Sequence, residues 1–207
     1  MINDGIIFDL DGTLWDSTKE VTVSWQKVLR EQPDIQHVPD EEAIYSVMGL
    51  SSDALMAKLF PDLSPERNQE LFRLCGIEEQ KHLLEHGGTL YPGTEETLRE
   101  LSKRLPLFIV SNCGVGYIET FLEAHKLHRY FKDFECFGNT LRPKSENIAS
   151  VAKRNGLQSP VYVGDTQWDY ENATAAGVPF IFAAYGFGDV KDVPSIQTIR
   201  ELTQITL

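Results

Sequence analysis

The chain has 207 residues, of which 42% are hydrophobic, so it can bury a sizeable core and is not a disordered polymer. Its formal net charge of -12 argues against nucleic acid as a partner, because the phosphate backbone would be repelled at long range. Three cysteines without metal-ligand spacing, no signal-like start and no run of roughly 20 apolar residues predict a reduced cytoplasmic protein that does not use a membrane.

The first predicted element is a short buried strand, residues 6–8, that runs into two acids. Asp9 follows the strand directly, and Asp11 comes two positions later in a turn that contains Gly12. Ligands bind at this end of a strand in open α/β sheets, and paired carboxylates suit magnesium or a nucleophile with a proton carrier. Acids that cap backbone N–H groups would give the same pattern, so this motif alone does not decide the function.

Residues 16–88 are predicted to be entirely helical. Ser17 and Glu20 have the spacing of a capping box, and Ser64 followed by proline is typical of a helix start. Apolar residues repeat at helical spacing up to the glycine pair that begins at Gly87. We interpret this segment as a cap inserted over the strand ends.

The chain from residue 92 onward alternates short apolar strands with amphipathic helices. Strands are predicted near residues 107–111, 134–137, 161–163 and 180–182, and Pro194 is predicted to begin a last helix with Ile196, Ile199 and Leu202. This alternation predicts a parallel sheet with helices on both faces, a three-layer Rossmann-like α/β core. The predicted domains are a catalytic core, residues 1–15 and 89–207, and an all-helical cap, residues 16–88.

Chemically active side chains follow three further predicted elements. Ser111 and Asn112 end the second core strand, Lys144 begins the helix after the third, and Asp165 and Asp169 follow the fourth. Each has an ordinary explanation, such as a solvated lysine or a helix cap. Together they surround one crevice with acids, a hydroxyl and a cation, as phosphoryl transfer requires.

At this point the chain resembles the haloacid dehalogenase superfamily, in particular its phosphoglycolate-phosphatase-like group with a helical cap. The resemblance spans the whole chain and is carried by four motifs in order: Asp9-Leu10-Asp11-Gly12-Thr13, Ser111-Asn112, Lys144, and Gly164-Asp165 with Asp169. It implies a phosphoric monoester hydrolase that acts through an aspartyl-phosphate.

The resemblance also implies roles for these residues. Asp9 would be the nucleophile and Asp11 the proton carrier. Ser111, Asn112 and Lys144 would hold the phosphoryl group. Mg²⁺ would be bound by Asp9, the Asp11 carbonyl and Asp165, with Asp169 ligating through water or orienting the other ligands. The resemblance therefore predicts a metal site formed by Asp9, Asp11, Asp165 and Asp169.

Several alternatives stay open at the level of the sequence. A sugar-phosphate mutase or a non-catalytic phosphate-ligand-binding protein on the same fold is the main alternative, and a phosphoacceptor signalling domain is disfavoured because Asp9 follows the first strand. Asp11 argues against dehalogenation, and the cap stretch 48–52 lacks the lysine or arginine of phosphonate-cleaving or mutase relatives. The expected partner is a small phosphorylated metabolite, and we expect a monomer or weak dimer.

Overall fold

The computed structural model of the protein describes residues 3–204. Its strands are β1 (Gly5–Phe8), β2 (Trp15–Asp16), β3 (Thr89–Leu90), β4 (Leu107–Ser111), β5 (Phe131–Cys136), β6 (Pro160–Gly164), β7 (Phe180–Ala183) and β8 (Ser195–Ile196). Six of them form one sheet in the order β5-β4-β1-β6-β7-β8, and every neighbouring pair is parallel. The predicted α/β class with a parallel sheet is confirmed.

The helices alternate with strands only in the second half of the described chain. They are α1 (Thr18–Leu29), α2 (Glu41–Tyr45), α3 (Ser52–Leu59), α4 (Pro65–His86), α5 (Thr94–Leu101), α6 (Tyr117–His125), α7 (Phe137–Thr140), α8 (Lys144–Arg154) and α9 (Gln167–Ala175). Short 3-10 helices cover His128–Tyr130 and Ile199–Thr203. Within residues 3–204 no helix combines the length and the apolar character needed to cross a bilayer.

The central strand β1 explains the layered arrangement. Successive side chains of a strand point to opposite faces, and all four residues of β1 are buried. Ile6 and Phe8 belong to one hydrophobic cluster, whereas Ile7 packs with Phe108 and Tyr162 in a second cluster. Because both faces are apolar, both must be covered by helices, and this produces a three-layer core.

The four helices α1 to α4 form a helical segment between β2 and β3. α1 and α4 pack along each other, with a hydrogen bond from the Trp25 indole to Glu79 and an ion pair between Lys27 and Glu78. β2 and β3 pair antiparallel, so the two chain connections of the segment lie side by side. The Asn112 side chain donates to the Gly49 carbonyl at 3.0 Å, so the segment lies directly over the strand ends.

The predicted last helix is wrong at its start. Ser195 and Ile196 form β8 instead, with the Phe182 N–H donating to the Pro194 carbonyl at 2.8 Å. The exposed edge of β7 otherwise leaves backbone groups unpaired, and this pairing satisfies them. Helical character begins only at the 3-10 turn Ile199–Thr203.

The predicted Ser17–Glu20 capping box is also wrong. Ser17 occupies the N-cap position of α1, but its hydroxyl makes no cap hydrogen bond and donates to Asp11 at 2.6 Å. Glu20 lies 2.7 Å from the His82 ring of α4. A carboxylate at the strand end competes successfully for the hydroxyl, which draws the beginning of α1 into the site.

Candidate active site

Asp9 is held at the carboxyl end of β1 with an ammonium group beside it. Its backbone N–H donates to the Val163 carbonyl of β6 at 2.8 Å, and its side chain is buried. The Lys144 Nζ lies 2.6 Å from Asp9 Oδ1 and also bonds Asp169 Oδ1. Lys144 is the first residue of α8, where the helix dipole disfavours a cation, so its two carboxylate partners account for its position.

Asp169 is fixed by the N-terminal turn of α9. Thr166 is the N-cap and forms a capping box with Asp169. The Thr166 hydroxyl and backbone N–H donate to Asp169 Oδ2 at 2.6 and 3.0 Å. Because its other oxygen bonds Lys144, Asp169 is held through both carboxylate oxygens.

Asp165 occupies a space that glycines leave open. The Thr13 hydroxyl donates to its Oδ1 at 3.2 Å, and the Phe187 N–H donates to its Oδ2 at 2.8 Å. A Cβ on Gly12, whose φ is +80°, would lie 2.1 Å from Asp165 Oδ2, and one on Gly186 would lie 2.3 Å from Asp165 Cβ. Both loops can therefore approach this carboxylate only through glycine.

Three of these acids form a compact oxygen cluster. Asp9, Asp165 and Asp169 each offer a carboxylate oxygen, and the three oxygens lie within 4.8 Å of one another. Hard oxygen donors are what Mg²⁺ prefers, and three carboxylates beside a single ammonium leave an excess of negative charge that a divalent cation would offset. The donor set therefore fits Mg²⁺.

The pKa values of the acids and the lysine in this cluster are shifted in the direction that an excess of negative charge predicts. Burial, reinforced by Asp169 and only partly offset by Lys144, raises the pKa of Asp9 to about 7. Burial and the neighbouring carboxylates of Asp169 and Asp9 raise the pKa of Asp165 well above its ordinary value. Burial alone would lower the pKa of Lys144, but Asp169 and Asp9 raise it strongly. The lysine therefore stays charged.

Asp11 lies outside the three-carboxylate cluster and has partners of its own. The hydroxyls of Ser17 and Tyr117 lie 2.6 and 2.9 Å from its Oδ1. Burial raises the pKa of Asp11 to about 6, although these two hydrogen bonds lower it in part. A carboxyl that titrates near neutral pH is suited to carry a proton in both directions.

Ser111 ends β4 and Asn112 follows it, on the opposite side of Asp9 from β6. Both are buried, and the Ser111 hydroxyl accepts a hydrogen bond from the Cys113 N–H at 3.3 Å. They share one pocket with Asp9 and Asp11. The structure therefore brings together all seven residues that the sequence predicts for the site, with the Asp11 carboxylate set apart from the other acids.

The pocket lies between these strand ends and the helical segment, and its volume is about 70 Å³. A larger cavity of about 670 Å³ adjoins it and shares part of its wall, including Phe72, Glu79 and Tyr117. The helical side of the inner pocket is mostly apolar and consists of Val21, Trp25, Ile44, Val47, Met48, Gly49, Leu50, Ser52, Leu55, Phe72 and Glu79.

Glu79 is a pocket residue that the sequence reading missed. Burial and the charge of Asp11 raise its pKa to about 8, although the hydrogen bond from Trp25 lowers it. A signal for it existed in α4, because Leu71, Cys75 and Leu83 are buried at four-residue spacing and Glu79 completes that row. A half-buried acid in the apolar row of a helix indicates a specific role.

Comparisons with known proteins identify the family of the chain. A family model for haloacid dehalogenase-like hydrolases matches residues 6–183. The chain is 32% identical to a phosphoglycolate phosphatase of Aquifex aeolicus over 191 residues, covering 88% of this chain and 85% of that protein. It is 29% identical over 211 residues to the phosphoglycolate phosphatase of Escherichia coli K12, covering 88% and 82% of the two chains.

The fold has a close counterpart among solved structures. A haloacid dehalogenase-like family hydrolase from Streptococcus pneumoniae superposes with a TM-score of 0.83. The superposition covers 98% of this chain and 97% of that one, with 22% sequence identity. The whole described fold, including the helical segment, is therefore shared with that hydrolase.

Proposed function

Because this chain belongs to the haloacid dehalogenase-like hydrolase family, as a phosphatase of its phosphoglycolate-phosphatase-like group, we propose that it hydrolyses a small phosphate monoester in a Mg²⁺-dependent reaction through an aspartyl-phosphate. The observation that carries this proposal is the ion-paired cluster of Asp9, Lys144 and Asp169 beside Asp165 at the strand ends. The names of the curated relatives make phosphoglycolate the first ester to test.

Asp9, Asp165 and the Asp11 carbonyl would hold the metal, and Asp169 would orient Lys144 and the metal ligands. The compact set of carboxylate oxygens supports this assignment. When bound, Mg²⁺ would supply positive charge opposite the phosphoryl oxygens. The capping box that fixes Asp169 keeps this side of the site rigid before a ligand arrives.

Chain residues carry the bond changes. An Asp9 oxygen attacks phosphorus and forms the aspartyl-phosphate while the bond to the leaving oxygen breaks, and Asp11 gives that oxygen its proton. Asp11 then takes a proton from water as the water oxygen attacks phosphorus, which releases inorganic phosphate and restores the Asp9 carboxylate. Ser111, Asn112 and Lys144 hold the phosphoryl group, and the Lys144 charge reduces repulsion between Asp9 and the anionic ester.

Residues 16–88 act as a cap over a core of residues 1–15 and 89–207 in this proposal. The side-by-side connections Trp15–Asp16 and Thr89–Leu90 support it, since a paired ribbon is a narrow link about which a segment can pivot. The loop at Gly49 and Leu50 lines the same pocket as Asp9. Closure of this cap would exclude water from the pocket during phosphoryl transfer.

The test is release of inorganic phosphate from a panel of monoesters. We expect turnover with Mg²⁺, loss of turnover in excess chelator and recovery when Mg²⁺ is added back. Full activity in chelator would contradict the metal assignment. Rearranged ester without released phosphate would indicate a mutase, and tight binding without any product would indicate a binding protein.

A further inference from the structure

The inner pocket has an unusual charge distribution for an enzyme that is to accept an anionic ester. Its acidic lining residues are Asp9, Asp11 and Glu79, and no lysine, arginine or histidine lines it within residues 3–204. Lys144 does not line this pocket, and its ammonium group is paired with Asp9 and Asp169, where the proposed reaction uses it for the phosphoryl group. The part of the pocket left for the leaving group therefore carries one acid, Glu79, and no cation.

We propose that Glu79 is a specificity residue that selects phosphate monoesters whose leaving group carries an ammonium group, such as aminoalkyl phosphates, over esters whose leaving group carries a carboxylate. This inference rests on the phosphatase activity proposed above. A preference for an ammonium-bearing leaving group would distinguish this chain from relatives named for phosphoglycolate, whose leaving group bears a carboxylate.

The surroundings of Glu79 support an ammonium partner. Trp25 donates its indole N–H to Glu79 Oε2, which fixes the carboxylate against the pocket wall and leaves acceptor capacity for a ligand. Trp25, Phe72 and Tyr117 line the same pocket, and aromatic faces attract organic cations. An ammonium group bound beside Glu79 would lower the pKa of its carboxyl and favour the ionised form, so that an ion pair forms on binding. A ligand carboxylate placed here would raise that pKa further and would find no cation in an apolar wall.

The adjoining outer cavity does not supply the missing cation at the inner pocket. Arg73 is its one lysine, arginine or histidine within residues 3–204, and Arg73 is absent from the inner lining and exposed to solvent. The chain as a whole also carries a formal charge of -12. An ammonium group lowers the net negative charge of the ester and so reduces this long-range repulsion.

The experiment compares three esters of similar size with Mg²⁺ present: 2-aminoethyl phosphate, the nearly isosteric neutral propyl phosphate, and phosphoglycolate. The measured quantity is kcat/KM for the wild type, Glu79→Gln and Glu78→Gln. Glu78 is the matched control, because it is the next residue on α4, pairs with Lys27 and lines neither cavity. Thermal melting of each variant establishes that it folds.

We expect the wild type to prefer the ammonium ester to both others. Glu79→Gln should lower the ratio of 2-aminoethyl phosphate to propyl phosphate by roughly 30-fold, the effect of removing one charge from a close ion pair at a half-buried site. Propyl phosphate itself should be hydrolysed within a few-fold of the wild-type rate, and Glu78→Gln should keep the wild-type ranking.

Three outcomes would overturn the inference. They are wild-type preference for phosphoglycolate, wild-type preference for the neutral ester, and an unchanged ratio in folded Glu79→Gln. If Glu79→Gln does not fold, the ranking of the three esters by the wild type still tests the proposed preference. Absence of turnover on all three esters, with no phospho-enzyme in the wild type, would instead remove the phosphatase proposal itself, whereas Mg²⁺-dependent turnover without charge ranking removes only the role of Glu79.

Discussion

The two walls of the pocket are built on different principles. On the strand-end wall, Asp9 and Asp169 share Lys144, and Asp165 accepts hydrogen bonds from Thr13 and Phe187. On the helical wall, apolar side chains surround Glu79, whose carboxylate has one hydrogen-bond partner in the described chain, Trp25. The first wall is preorganised for a charge change at phosphorus, and the second is shaped to sort leaving groups.

Substitutions in the strand-end wall should therefore affect every ester, whereas substitutions in the helical wall should affect only some. The strand-end wall consists of paired charges, so removing one of its side chains leaves the partners unpaired in a buried site. An apolar wall tolerates substitutions better, and their effect is to change the shape of the pocket that the leaving group must fit. Each prediction below tests this division of labour.

Asp9→Asn should have the largest effect. The amide cannot attack phosphorus, so turnover should fall by roughly 10⁶-fold for every ester, as for loss of a nucleophile in other enzymes. Phospho-enzyme trapped by acid quench should disappear with it. Asp62→Asn, an exposed acid of the helical segment, is the control and should behave like the wild type. Near-normal turnover in Asp9→Asn would reassign the nucleophile.

Asp11→Asn should have the next largest effect. It removes the proton carrier but leaves the nucleophile, so a loss of about 10²–10⁴-fold is expected in single-turnover hydrolysis. Ser17→Ala removes one hydrogen bond to Asp11 and keeps its carboxyl, so its loss should be much smaller. Equal losses in the two variants would mean that Asp11 acts only by holding the loop.

Gly12→Ala should distort the strand-end wall without changing any charge in it. Its Cβ would meet the Asp165 carboxylate, and its φ of +80° is strained for alanine, so the free energy of unfolding should fall by about 1–3 kcal/mol. Gly156→Ala has a similar φ of +72° with no atom within 4 Å of the Cβ, so it measures the backbone strain by itself. Urea unfolding of both variants, with their turnover, separates the collision from the strain. Equal destabilisation with full activity in Gly12→Ala would contradict the close approach.

The smallest effect concerns pH and the helical wall. The pKa of Glu79 is raised from 4.5 to about 8, so between these values the folded protein holds a proton that the unfolded chain releases. That contribution to stability is therefore lost as pH rises through the interval. In Mg²⁺-free buffer, Glu79→Gln should flatten the fall of the urea midpoint between about pH 5 and about pH 8 relative to Glu78→Gln. Parallel curves for the two variants would show that the Glu79 carboxyl is solvated in the folded protein.

The strand-end wall was largely predictable because its signals are local. An apolar run followed by an acid places Asp9 or Asp165 at a strand end whatever surrounds it, and parallel strands bring such ends to one edge. The position of Lys144 was also predictable, because the helix dipole disfavours a cation at a helix start and an anionic neighbour is therefore expected. The helical wall gave a weaker signal, because its apolar residues resemble those of any packed helix and only Glu79, an acid in an apolar row of α4, departs from that pattern.

The amino-acid sequence was sufficient to predict β1, β4, β6 and β7, the approximate position of β5, the helical segment between β2 and β3, and the order in which acids and lysine reach the strand ends. Apolar periodicity and turn residues act between near neighbours in the chain, so they are readable there. Three features depend on the folded arrangement of distant elements: Tyr117 contacts Asp11 across 106 residues, the Ser17 hydroxyl donates to the same carboxylate instead of capping α1, and residues 195–196 pair with β7 rather than begin a helix. In each case a polar group could bond either a near neighbour in the chain or a group from a distant element. The distant group becomes available only when the elements pack together, so the sequence pattern does not reveal it.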